Sequence, residues 1–153
     1  MDLTLQPSAL NHLAGIRKLL GGTKFRRTPL RNPLDLIDAI NKGITKESFY
    51  IFQRRINMPL YKLCQLLPVD PRTLQRYQDQ QRLSPTLSSL VVELVELFHQ
   101  GEEAFGDLEL FKSWLQTPNP GLGKKKPFDL LNHSQGIDLV KEAVGRITHG
   151  LVA

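Results

Sequence analysis

An all-α fold is predicted by three features of the 153-residue sequence. Helix punctuation recurs: Asn32-Pro33, Asp70-Pro71 and Ser84-Pro85 each put a capping residue before a proline at the first helical position, where the missing N–H costs nothing. Large apolar residues return at spacings of three and four, the helical period. No period-two run rich in β-branched residues lasts beyond four residues, so strands have no comparable signal. This length suits one ordinary domain or two small ones sharing a core, and 41% apolar with 23% charged residues is a globular balance, not disorder.

Each element follows from these signals. Residues up to about Pro29 read as a helix followed by a mobile basic arm with Gly21-Gly22 and Arg26-Arg27. The helix opened by Asn32-Pro33 turns Leu36, Ile37 and Ile40 inward and stops at Gly43. A further helix begins after Thr45, with Phe49, Phe52 and Ile56 inside. Pro59 opens the next, whose apolar side is Leu60, Leu63, Leu66 and Leu67, and Pro68 closes it. Asp70-Pro71 starts a short polar helix over RTLQRYQDQQ. After Ser84-Pro85, the stripe Leu87, Leu90, Val91, Leu94, Val95 and Phe98 marks the central core helix, with Gly101 as its stop.

The remainder continues in the same way. Gly106-Asp107 leads into a helix carrying Leu110, Phe111, Trp114 and Leu115, with Trp114 as a core anchor, and Pro118 ends it. The loop Thr117 to Lys126 and a turn from Pro127 to Leu131 precede the last helix. There Ile137, Val140, Val144, Ile147 and Leu151 form one face, while Asp138, Lys141, Glu142 and Arg146 lie off it.

The net charge of +5 is unevenly spread. Residues 1–43 hold seven Lys/Arg against three acids and residues 44–100 seven against five, whereas residues 101–153 hold six against seven. An anionic polymer would therefore meet the front of the chain. No run approaches the eighteen apolar residues of a membrane span, and the opening MDLTLQPSAL is not a signal peptide. The single cysteine, Cys64, fits a reducing, cytoplasmic setting. Catalysis has no inventory here: His12, His99, His133 and His149 are far apart, none stands near Cys64 in a ligand pattern, and no Gly-x-Ser-x-Gly occurs. Neither a metal site nor a cofactor site is signalled. Lys124-Lys125-Lys126 lacks the glycine and Ser/Thr of a phosphate-binding loop and reads as a solvated basic loop.

Residues 59–80 have the proportions of a helix-turn-helix, two short helices around a Leu-Pro-Val-Asp joint. Arg72, Thr73, Gln75 and Arg76 occupy the first turns of the second helix, and Leu74 and Tyr77 pin it to the core. Arg can donate two bonds to guanine and Gln can pair with adenine, so Arg72, Gln75 and Arg76 are base-reading candidates. Lys62 and Arg82 flank the pair as phosphate contacts. A small bundle with solvated Arg and Gln fits the same pattern. One such helix makes few contacts, so a DNA reader of this kind would be a dimer on half-sites about 34 Å apart.

Several short strings occur in order along residues 72–150. They are Arg72-Thr73-Leu74-Gln75-Arg76, Arg82-Leu83-Ser84, Gly106-Asp107, Trp114-Leu115, Asn119-Pro120, Leu122-Gly123, Pro127, Leu130-Leu131, Gly136, Val140, Gly145-Arg146-Ile147 and Gly150. With them the chain resembles the Xre/MbcA/ParS antitoxin family from about Gly43 onward. Tyr77 departs from the family pattern, where a second arginine often stands, and the basic segment before Gly43 has no counterpart there.

The resemblance implies a type II antitoxin that dimerises, represses its own promoter DNA and covers the active site of a RES-domain toxin that consumes NAD⁺. It implies three parts: a basic N-terminal segment with one or two helices over 1–43, an Xre-like helix-turn-helix DNA-binding domain over 44–100, and a toxin-binding domain over 101–153. In that reading the toxin contacts are Arg146, His149, Gly150, Leu151, Val152 and Ala153, with Leu151 and Val152 filling the toxin's cofactor cleft and Arg146 and the terminal carboxylate meeting polar groups there. A stand-alone helix-turn-helix regulator whose last module only dimerises is the competing reading.

Overall fold

The computed structural model describes residues 6–22 and 30–150. The basic arm expected around Arg26-Arg27 lies outside the described residues, as do Leu151, Val152 and Ala153. Among the described residues the fold is all-α, without strands. The helices are α1 (Pro7–Leu19), α2 (Pro33–Lys42), α3 (Lys46–Arg55), α4 (Leu60–Cys64), α5 (Pro71–Arg76), α6 (Pro85–Phe105), α7 (Leu108–Leu115) and α8 (Ser134–Thr148). Short 3₁₀ turns at Pro120–Leu122 and Pro127–Leu130 precede α8. The chain divides into two compact units, Met1–Val95 and Glu96–Ala153, with the boundary inside α6. No described helix is long and apolar enough to cross a membrane.

In the first unit, side-chain caps set where helices start. Asn32 accepts from the Asp35 N–H, Thr45 from Ser48, Asp70 from Arg72 and Ser84 from Leu87, each satisfying an N–H that the first helical turn leaves open. The core behind these caps includes Ile16, Phe49, Phe52, Ile56, Leu63, Leu74 and Leu94, all nearly inaccessible to solvent. Burial of each such Leu or Phe contributes about 1.5–3 kcal/mol.

α2 departs from its expected phase. Ile37 is 52% exposed, and Asp35 and Ala39 hold the buried positions. The cause lies in the cap: the Arg31 backbone N–H and Nε both donate to Asp35 Oδ2, at 2.8 and 3.1 Å, while the Asp35 N–H donates to Asn32. This arrangement turns Asp35 to the inner side, and hydrogen bonding from Arg31 holds its carboxyl below the ordinary range. A pattern built from apolar residues alone misses an inward carboxylate.

The second unit is built on aromatic packing. Phe111 is fully buried, edge-on to Phe98 at 5.3 Å between centroids and stacked on Trp114 at 6.0 Å. Trp114 itself is half-buried, with Phe105 at 5.6 Å, so the fully buried anchor is Phe111. α8 buries Ile137, Val140, Ala143 and Val144. It is tied to the end of α6 by the Lys141–Glu96 ion pair at 3.1 Å and by Gln100 Nε2 donating to the Lys141 carbonyl at 3.1 Å.

The expected stop at Gly101 is overturned. α6 continues to Phe105, and Gly106, at φ +74°, lies past its end. Gly101 serves packing instead, since a Cβ there would come within 2.4 Å of the Phe111 ring. α6 is also buried more widely than its stripe, for Val92, Leu97 and Ser88 are inaccessible too. Replacing Gly101 by Ala therefore separates two effects of opposite sign. Helix propensity alone would stabilise by about 1 kcal/mol. The clash with an immobile ring should reverse this and destabilise by about 1–3 kcal/mol in thermal or urea unfolding.

Candidate functional site

The helix pair predicted at residues 59–80 is present, with both helices shorter than expected. α4 ends at Cys64, and the chain turns through residues 65–69 before Asp70 caps α5. α5 stops at Arg76, where the polar pattern suggested a helix through Gln81. The backbone leaves the helical path at Tyr77, which is extended with ψ 146°. The carbonyls of Asp79 and Gln81 accept from the Glu47 and Lys46 N–H groups, each at 2.9 Å, supplying partners to the first turn of α3.

That contact extends into a short paired segment. The Leu83 N–H donates to the Ile44 carbonyl at 2.8 Å, and Thr45 and Arg82 form an antiparallel bridge. The Ile44 N–H donates to the Ser88 hydroxyl at 2.8 Å, and that hydroxyl lies 3.4 Å from the Leu83 carbonyl to which it donates. Ser88 is fully buried, so this polar link is made inside the core, where unpaired groups would be costly. Gly43 starts the segment with φ +93°, and a Cβ there would meet the Leu83 carbonyl oxygen at 2.3 Å. Only glycine permits this approach.

On this frame Arg72, Thr73, Gln75 and Arg76 are all exposed on α5, and Leu74 beneath them is completely buried. Tyr77 is half-buried, so Leu74 is the main anchor of the helix. Lys62 is half-buried and already engaged within the protein. Arg82 is exposed, but its guanidinium donates to the Gly43 carbonyl at 2.8 Å. The four α5 residues thus form one solvent-facing polar surface, while the two flanking cations also have internal partners.

Sequence reasoning missed Lys46. Its ammonium donates to the carbonyls of Gln75, at 3.2 Å, and Tyr77, at 2.6 Å, and lies 5.3 Å from the centre of the Tyr50 ring. These partners stand 29 and 31 residues away along the chain, so no local signal could have pointed to them.

The second candidate region is the end of α8. The helix stops at Thr148, His149 is its C-cap, and Gly150 follows at φ +71°. Within the helix the stripe therefore closes at Ile147, and its expected last member, Leu151, lies outside the described residues. Arg146 is half-buried and His149 and Gly150 are exposed. Leu139, about two turns before Arg146, is 49% exposed, and Leu110 of α7 is 57% exposed; the sequence reading named neither as a surface residue.

Cys64, at the end of α4, reports on how tightly the helix pair is closed. Burial pushes its thiol up to about 11, with a smaller contribution from the Asp70 carboxylate. Because the folded value is raised, the thiol's contribution to stability is complete below the ordinary thiol range and is lost as pH rises toward 11. In the folded protein at pH near 8, alkylation of Cys64 should run more than about tenfold slower than in denaturant. Equal rates would mean that the pair opens freely.

Comparison with known proteins bears on the second region most directly. Residues 100–150 match the antitoxin Xre/MbcA/ParS C-terminal toxin-binding domain. The chain is 28% identical over 132 residues to the "Prs ADP-ribosylating antitoxin" of Sphingobium sp. (strain YBL2), covering 80% of this chain and 83% of that protein. It is 25% identical over 118 residues to "Antitoxin Xre" of Yersinia enterocolitica (serotype O:8 / biotype 1B, strain NCTC 13174 / 8081), covering 76% and 80%. The ordered motifs, the domain match and these two relatives agree: the chain is similar to antitoxins of the Xre/MbcA/ParS kind, and its residues 100–150 match their C-terminal toxin-binding domain.

Proposed function

We propose that this chain is the antitoxin of a type II toxin–antitoxin pair, a non-catalytic protein that inhibits a RES-domain, NAD⁺-consuming toxin in the cytosol and represses its own promoter as a homodimer. The observation that carries the toxin-binding half is the coincidence of two facts. Residues 100–150 match a toxin-binding domain. At the far end of that domain α8 gives way at Gly150, with Arg146 and His149 beside the break. Residues 149–153 then act as the plug, with Leu151 and Val152 entering the toxin's cofactor cleft and Arg146 meeting polar groups at its rim. The name of the Sphingobium relative associates an antitoxin with ADP-ribosylation, a transfer that draws on NAD⁺, and this supports the assignment of the toxin's chemistry.

The DNA-binding half rests on α5. Its exposed Arg72, Thr73, Gln75 and Arg76 form a donor-rich surface on a helix anchored by Leu74. Arg side chains of this kind read guanine through two parallel bonds. Two copies of so short a helix are needed for an operator-length site.

Removal of residues 150–153 should restore NAD⁺ consumption by the co-purified toxin while leaving the antitoxin's melting temperature unchanged. Undiminished inhibition would remove the plug. Arg76→Ala should weaken promoter binding by about 1–3 kcal/mol and leave toxin neutralisation intact. Equal loss of both activities would make Arg76 structural. If a dimer neutralises about eight phosphates, log affinity should fall against log salt with a slope near −7, and a flat response would argue against DNA.

A further inference from the structure

α5 is too short to hold itself. Its six residues contain fewer than two turns, far below the length at which an isolated helix is stable in water. Its N-terminal end is secured by the Asp70 cap, where the Arg72 N–H donates to Oδ1 at 2.6 Å. Its middle is secured by Leu74, buried completely. The C-terminal end is a different problem, because the last carbonyls of a helix have no acceptor role within it and carry the negative end of the helix dipole.

The Lys46 ammonium fills that role. It donates to the carbonyls of Gln75 and Tyr77, the residues on either side of Arg76. The ammonium also lies 5.3 Å from the Tyr50 ring centre, so an aromatic face one turn along α3 helps fix its position. The Lys46 backbone is fixed too, since its N–H donates to the Gln81 carbonyl and the neighbouring Glu47 N–H to that of Asp79. One residue therefore grips the chain on both sides of the loop that follows α5. Gln80 adds a side-chain bond to Glu47 at 2.8 Å on the same edge.

We propose that Lys46 is a positioning residue: it fixes the C-terminal end of α5 and thereby the direction in which Arg76 leaves the helix. It would act on DNA through Arg76 and not by touching a phosphate. The consequence for DNA rests on the reading of α5 as a recognition helix, whereas the grip on α5 does not.

Lys46→Met keeps the aliphatic stem and removes the donors. In hydrogen–deuterium exchange of the full-length protein, amides in residues 71–83 should exchange roughly tenfold faster than in the wild type, while those of α7 are unchanged. On a duplex carrying the DNA immediately upstream of the coding sequence, affinity should fall about tenfold with the salt slope unaltered. Unchanged exchange in residues 71–83 overturns the proposal. So does a loss of affinity with a slope reduced by about one, the mark of a direct phosphate contact. If the wild type fails to bind that duplex with any salt dependence, the recognition-helix reading falls and the exchange result alone decides the role of Lys46. If Lys46→Met unfolds the whole protein, the wild type still gives an answer by nuclear magnetic resonance. The Lys46 ammonium protons should then exchange with water markedly more slowly than those of Lys18, and equal rates overturn the proposal.

Discussion

The first unit depends on the pairing of residues 43–47 with residues 77–83. It is a small structure, with the Leu83–Ile44 backbone bond, the two bonds from the start of α3 and the bridge between Thr45 and Arg82. Its effect is large because it supplies partners to three sets of groups at once. The open N–H groups of α3 find carbonyls, the end of α5 finds the Lys46 ammonium, and the buried Ser88 hydroxyl joins the Ile44 N–H to the Leu83 carbonyl. Such groups left without partners inside a protein cost about 1–3 kcal/mol each. The close approach exists only because Gly43 has no side chain to meet Leu83.

In the second unit the equivalent constraint is steric. Phe111 sits where a side chain on Gly101 would be, and Phe98, Phe105 and Trp114 surround it. This packing fixes α7 against the end of α6, and Lys141 and Gln100 hold α8 to the same stretch. A helix so held presents its last turn in a defined place. Arg146 and His149 belong to that last turn, and the left-handed Gly150 marks where the helical path ends. An inhibitory segment needs such a base, because ordering a free chain end on a partner costs conformational entropy that a fixed anchor reduces.

Much of this was legible in the sequence where a local rule governs. The cap-and-proline pairs at Asn32, Asp70 and Ser84 mark true helix starts, and the α6 stripe is core from Leu87 to Phe98 apart from the half-buried Leu90. Reading failed where a distant partner changed a local preference. Gly101 looks like a stop until Phe111 is seen against it, and residues 77–81 look helical although Tyr77 is extended and Asp79 and Gln81 pair with the start of α3. Asp35 faces inward because Arg31 and Asn32 turn it there, against the apolar pattern. The exposure of Arg72, Thr73, Gln75 and Arg76 was legible because exposure and polarity go together on a short helix. Lys46 was not, since a lysine following a cap has the same appearance whether or not it reaches another helix.

For the two compact units we propose two tasks, DNA binding through α5 of the first and toxin binding through the end of α8 of the second. Hydrogen–deuterium exchange of the full chain, alone and then with each partner, tests that division in one measurement. Promoter DNA should slow exchange in residues 70–83 and leave residues 139–150 unchanged, and the toxin should do the reverse. Protection of residues 70–83 by toxin, or of residues 139–150 by DNA, would contradict it.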